Sequence, residues 1–257
     1  MREFGSVEKF VRHNFLIYKL VRGLAPTLCK WFSLEDGFDF LSQIEPIPGY
    51  SAIDVGANDG TSIRMIRRYH KEVHLNCFDP ITRPSFKLKN IDFHNLALGN
   101  ANGRIVLFTP VVKGRVLTQY SSFQEDSMIK QVAFDLNIDP NNVVVKSKTV
   151  EVRTLDEFRI NCYFLKIDVE GSEIEVIIGG LRTIKESNPI ILVELQSKES
   201  YEFMQSHLSK MGYINIKVKG FVFRDNQYTD QTQTFSPEVN NYVWIPKGSS
   251  KSWRFKS

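Results

Sequence analysis

The sequence predicts an α/β fold built as a Rossmann-like doubly wound sheet, on three observations. An apolar run, Ala52-Ile53-Asp54-Val55, leads into Gly56-Ala57-Asn58-Asp59-Gly60-Thr61, after which Ile63, Met65, Ile66 and Tyr69 recur at helical spacing. The stretch Val73–Asp79 then reads as a second strand that stops on an acid. Farther on, Tyr163–Asp168 and Pro189–Glu194 are two more buried strands ending on carboxylates, with an apolar-striped helix between them. Strands alternating with helices in this way make a parallel sheet.

The 257 residues suffice for one large α/β domain or two small ones. Hydrophobic residues at 42% and charged residues at 24% are ordinary for a globular chain with a full core. A net charge of +4 is compatible with an acidic substrate but too small to argue for nucleic acid. Cys29, Cys77 and Cys162 are too scattered for a disulfide framework or a zinc site, and the last two read as core residues. No apolar run reaches the ~18 residues a membrane span needs, and no signal-peptide core opens the chain, so the expected compartment is the cytoplasm.

Taken in order, residues 1–49 read as a helical extension. Val7, Phe10, Val11, Ile17, Leu20, Val21 and Leu24 form an apolar stripe interleaved with lysines and arginines, and Pro26 stops it. Such a helix can lie on an anionic membrane, but more often it packs on the neighbouring core. A second short helix is expected over 27–32, and 45–49 reads as a linker. The main domain is expected over 50–257. Pro80 and Pro84 make a turn after Asp79, and Ile91–Leu98 reads as a third strand. Residues 101–150 read as a β-rich insertion: a hairpin around Lys113-Gly114, a helix near 123–132, a turn at Asp139-Pro140, and strands at 143–145 and 150–152. Insertions of that length tend to shape a substrate side. Thr154 reads as the cap of a helix, Ser172 and Glu175 as a capping box, and Ile174, Ile177, Ile178, Leu181 and Ile184 as one apolar stripe. A helix through Tyr201–Met211, strands at 213–218 and 221–223, a polar loop over 224–240 and a strand at Asn241–Pro246 follow. The tail 247–257 reads as mobile.

The glycine loop carries the first chemical signal. A dinucleotide loop uses G-x-G-x-x-G, whose middle glycine admits pyrophosphate. Here only Gly56 and Gly60 are present, and Asp54 and Asp59 make the loop a poor phosphate cradle. Acids around a turn suit a cationic ligand with an amino-acid end, such as S-adenosylmethionine. Asp79 then stands where an acid binds ribose hydroxyls, and Asn95 would lie near an adenine. The second signal is the convergence of Asp168, Glu170 and Glu194 at the carboxyl ends of neighbouring strands, where open parallel sheets hold ligands. Lys166, two residues before Asp168, shares its face. A structural alternative is that Glu170 serves the next helix and Glu194 pairs with a lysine.

The stretches Asp54–Gly60, Asn95–Gly99, Arg153–Phe158, Leu165-Lys166-Ile167-Asp168-Val169-Glu170-Gly171-Ser172-Glu173 and Pro189–Glu194 resemble, in order and spacing, the FkbM family of methyltransferases over about residues 50–245. The resemblance implies a class I S-adenosylmethionine-dependent fold: an α/β, mostly parallel seven-stranded sheet. It also implies methylation of a hydroxyl, commonly on a sugar or polyketide. It maps cofactor roles onto Asp54, Gly56, Asn58, Asp59 and Asp79; with Gly60, Thr61 and Asn95 these are the candidate cofactor residues, and Asp168, Glu194, Glu170 and Lys166 the candidate catalytic ones. The family more often has Glu where Asp79 stands, and often His where Gln196 stands. Asp168 is the expected base with Glu194 orienting the substrate; alternatively the carboxylates hold a divalent cation such as Mg²⁺. A small-molecule or glycan substrate is expected, and no nucleic acid. An NAD-dependent oxidoreductase and a non-catalytic cofactor- or glycan-binding module are the rivals.

Overall fold

The computed structural model describes residues 38–81, 89–216, 223–224, 227–228, 234–236, 241–248 and 251–256. The expected N-terminal helices, Cys29, Pro84 and most of the polar loop over 224–240 lie outside them. The strands are β1 (Ile44–Pro46), β2 (Ser51–Val55), β3 (Leu75–Phe78), β4 (Ile91–His94), β5 (Ala97–Leu98), β6 (Gly103–Val112), β7 (Arg115–Val116), β8 (Val144–Arg153), β9 (Cys162–Ile167), β10 (Ile190–Glu194), β11 (Tyr213–Ile216), β12 (Phe223–Arg224), β13 (Gln227–Tyr228), β14 (Asn241–Pro246) and β15 (Trp253–Phe255). The helices are α1 (Thr61–Tyr69), α2 (Glu125–Leu136), α3 (Glu173–Gly179), α4 (Leu181–Ser187) and α5 (Lys198–Lys210). The chain divides into two compact units, Ile105–Val150 and the described residues of 35–104 with 151–257.

The larger unit is organised by a seven-stranded sheet in the order β11-β14-β10-β9-β2-β3-β4. The five strands from β10 to β4 are parallel neighbours. β14 runs antiparallel to both β10 and β11, so the sheet is mixed. Between β11 and β14 the sequence has no apolar helical stripe that could serve as the crossover a parallel strand needs. β2 and β9 lie side by side at the centre. From β2 the chain proceeds to β3 on one side, and from β9 to β10 on the other. Their carboxyl ends therefore flank the point where the strand order reverses, which opens a crevice. All six residues of β9 are buried, as expected of a central strand covered on both faces. Ile53, Val55, Leu165, Ile167, Ile191 and Val193 pack with Val176 and Ile177 of α3 and Met204 and Leu208 of α5.

Several elements differ from the sequence reading. The supposed linker and mobile tail pair with each other: β1 lies antiparallel to β15, with Pro46 opposite Trp253. Ile44 and Trp253 are buried, and that apolar burial holds the tail down. The third strand splits, because Asn95 turns its side-chain amide onto the Asp79 carbonyl at 3.0 Å. β4 stays in the main sheet, whereas β5 pairs with the end of β8, Ala97 opposite Val152. The single striped helix is two helices, parted at Gly179-Gly180, and Ile178 and Leu181 are exposed. Gly179 lies against Gly99, where a Cβ would come within 2.0 Å of the Gly99 carbonyl oxygen. The capping box does not form, since the Ser172 side chain makes no cap bond. Thr154 likewise caps nothing with its side chain. Asp156 instead accepts the Arg182 and Thr183 N–H groups at 3.0 and 2.8 Å, capping α4 from across the fold.

In the smaller unit β6 and β7 form the expected hairpin, turned by Lys113 and Gly114 at φ 49° and 75°. The two short strands expected at 143–145 and 150–152 are one strand, β8. α2 buries Met128 and Val132 against Val112, Leu117 and Val143.

Candidate functional site

The site is built at the crevice beside β2 and β9. In register, Asp54 lies opposite Lys166 and Val55 opposite Ile167. Residue 54 carries its acid into the interior, fully buried, because the strand is covered on both faces. Its Oδ2 accepts the Ser62 hydroxyl of α1 at 2.6 Å. Its Oδ1 is buried without a hydrogen-bond partner, 3.7 Å from the Lys166 ammonium. Burial pushes the Asp54 carboxyl up. Lys166 and the Ser62 hydrogen bond oppose that shift, and the charges of Asp168 and Asp79 add to it.

Lys166 joins the two central strands. Its Nζ donates to Asp168 Oδ2 at 3.0 Å and to the Gly56 carbonyl at 3.4 Å while facing Asp54. The side chain is nearly buried, so each of these contacts acts in a low-dielectric setting. The acids expected to face one cleft from two strands are thus held by one ammonium. Gly56 explains how the strand ends come so close. It sits at φ +83°, and a Cβ there would lie 1.7 Å from the Asp168 carbonyl oxygen. The glycine is needed for protein backbone as much as for any ligand.

The remaining loop residues are arranged around Asp79, which is buried at the end of β3. Its Oδ2 accepts the Asn58 N–H at 2.9 Å and its Oδ1 the Ile81 N–H at 2.8 Å. Asn58 is left-handed at φ 39° to reach it. Asn95 braces the same point through the Asp79 carbonyl. Asp59 is exposed, and its Oδ1 accepts the Thr61 N–H and hydroxyl at 3.1 and 2.8 Å, so it fastens the first turn of α1. Gly60, at φ 83°, precedes that helix without a side-chain cap.

On the other side, Ile167 lies opposite Val193, which sets Asp168 and Glu194 level at the ends of adjacent strands. Glu170 is left-handed at φ 54°, and its Oε2 accepts the Gln196 amide at 2.7 Å. Among the described residues no group of three or more His, Cys, Asp or Glu could hold a metal ion. The cation between Asp54 and Asp168 is the Lys166 ammonium, and the expected Mg²⁺ has no donor set here. Two residues of the site escaped the sequence reading. Ser62 is the second residue of α1 and donates to Asp54. Glu173 is buried and turned back on its own loop. The only sequence signal for Glu173 is an acid immediately after Gly-Ser at the start of a helix.

The family pattern for the methyltransferase FkbM domain matches residues 54–214, which runs from Asp54 through the whole crevice. This chain belongs to the FkbM methyltransferase family. No curated protein matches it. The crystal structure of methyltransferase FkbM from Methylobacillus flagellatus superposes with a TM-score of 0.47 at 14% identity, covering 77% of this chain and 43% of that one. The FkbM match includes every residue of the crevice named above, from Asp54 and Gly56 through Lys166 and Asp168 to Glu194 and Gln196. No described helix is long and apolar enough to cross a membrane.

Proposed function

We propose that this FkbM-family chain is an S-adenosylmethionine-dependent O-methyltransferase whose acceptor is a hydroxyl of a sugar, glycan or secondary metabolite. The observation that carries the reading is the Lys166 contact between Asp54 on one strand and Asp168 on the next. It joins the loop suited to the methyl donor to the acid suited to the acceptor. The order of the main sheet, with one antiparallel strand near its edge, fits a Rossmann-like methyltransferase fold.

The residues present fit the cofactor. The buried Asp54 Oδ1, which makes no hydrogen bond, suits the ammonium of an amino-acid end. Asp79 can accept ribose hydroxyls alongside its two backbone N–H groups. Bound there, the sulfonium supplies an electrophilic methyl group with a good leaving group. Asp168 would accept the proton of the acceptor hydroxyl, and Lys166 would fix which carboxylate oxygen faces the acceptor. Glu194, level with Asp168, orients the acceptor. Most of the rate gain comes from aligning oxygen, carbon and sulfur.

The test is transfer of a labelled methyl group from S-adenosylmethionine to a panel of sugar acceptors. Asp168→Asn should abolish transfer while S-adenosylhomocysteine binding survives. Full activity in that variant would overturn the role.

A further inference from the structure

We infer that Glu173 is a positioning residue, whose carboxylate holds the turn Val169–Gly171 from below so that Asp168 and Glu170 face the acceptor. The inference rests on the methyl-transfer reading above. Directly after β9 the chain passes through two successive left-handed residues, Glu170 at φ 54° and Gly171 at φ 104°. That backbone is unfavourable for a residue with a Cβ and persists only where surrounding contacts over-determine it. Crowding is not the cause, because a Cβ on Gly171 would meet open space.

The determining contacts come from two carboxylates. On the outer side, Glu170 is tied to Gln196 at the start of α5. On the inner side, Glu173 Oε1 accepts the Gly171 N–H at 2.9 Å. The backbone N–H groups of Val169 and of Glu173 itself lie close enough to favour the charged form of this carboxylate. Glu173 is 5% exposed, so water does not replace those bonds when they break. Burial pushes its carboxyl up, against the pull of the backbone N–H groups, and the nearby Asp168 charge adds to the rise. The neighbouring Ser172, the ordinary candidate for capping α3, makes no side-chain cap bond. One buried carboxylate therefore fastens, through the Gly171 N–H, the turn that follows the proposed base.

A plain structural role would be charge at the start of α3. Two conservative variants of the full chain separate the roles. Glu173→Asp keeps the charge but loses a methylene of reach; Glu173→Gln keeps the reach and the carbonyl acceptor but loses the charge. The readouts are amide hydrogen exchange over 165–175, calorimetric affinity for S-adenosylhomocysteine, and steady-state methyl transfer to a panel of methyl pyranosides. Positioning predicts that Glu173→Asp raises exchange at 169–171 about tenfold. It also predicts that kcat falls about a hundredfold, with S-adenosylhomocysteine affinity unchanged. Glu173→Gln should stay close to wild type in both. If Glu173→Asp is the milder variant, or exchange at 169–171 is unchanged in it, the inference is overturned. If the wild-type chain methylates none of the panel, the failure belongs to the acceptor class proposed above. The exchange comparison then still decides whether Glu173 holds the turn.

Discussion

Gly56→Ala tests the geometry on which the functional reading stands, and Gly49→Ala is its control. Both glycines are left-handed, at φ +83° and +90°, so each substitution forces a Cβ into a backbone region that costs about 1–2 kcal/mol. They differ in what the new atom meets. At Gly49 nothing lies within 4 Å, whereas at Gly56 the Cβ would be 1.7 Å from the Asp168 carbonyl oxygen. Real Cβ contacts essentially never fall under 3.0 Å, so the ends of β2 and β9 must part by about 1.3 Å. Forced overpacking of that kind adds about 1–3 kcal/mol. In a domain of this size 1 kcal/mol lowers Tm by about 2–4 °C. Gly49→Ala should therefore lose about 2–8 °C, and Gly56→Ala about 4–20 °C. The displacement also moves Asp168, and a misplacement of about 1 Å can cost a hundredfold in rate. Thermal melts and labelled methyl transfer, run on both variants, provide the comparison. Equal losses of Tm, with transfer intact in Gly56→Ala, would refute the close apposition of the two strand ends.

Two further outcomes follow from groups away from the crevice. Asp156→Ala removes the acceptor for the Arg182 and Thr183 N–H groups and the Thr183 hydroxyl. It should cost about 1–2 kcal/mol in a urea titration, as loss of a helix cap does, with transfer kinetics unchanged. His70 is buried, with Nδ1 2.7 Å from the Tyr163 hydroxyl and Nε2 3.0 Å from the Ile44 carbonyl. Burial lowers its pKa; carbonyl bonds and Glu45 oppose that shift, and Lys256 adds to it. The unfolded chain then binds the proton more readily. This contribution to stability is present above about pH 6.5 and is lost as pH falls below it. The melting temperature of the wild type should drop more steeply below that pH than that of His70→Gln. Parallel curves would sink the assignment.

What the sequence made legible was whatever depends on local pattern. Apolar runs with charges gathered at or near their carboxyl ends marked β2, β9 and β10, as expected of strands covered on both faces. The spacing of Lys166 and Asp168 put them on one face, where they now share a hydrogen bond. What depends on distant partners was not legible. Asp156 lies in a stretch that looks like the opening of a helix, yet its carboxylate serves α4, 26 residues away. The tail reads as mobile because Ser and Lys dominate it; pairing with β1 and burial of Trp253 override that composition. The break at Gly179-Gly180 does not show in an unbroken apolar stripe, and the packing of Gly179 against the Gly99 carbonyl, which leaves no room for a Cβ, is a distant contact.

The same division explains which candidate residues the local pattern picks out. Asp54 and Asp168 announce themselves as charges at the ends of apolar strands. Ser62 and Glu173, which hold them or their loops, sit on helices where Ser and Glu are unremarkable. The distinction has a chemical consequence. A buried carboxylate such as Asp54 is tolerable only with its supports in place: Ser62 on one oxygen and Lys166 facing the other. Removing Lys166 would take away the charge that opposes the burial of Asp54, so the Asp54 carboxyl would be pushed further up. The lysine therefore does more than hold one carboxylate: its charge opposes the burial that pushes the Asp54 carboxyl up, at the point where the two strand ends meet.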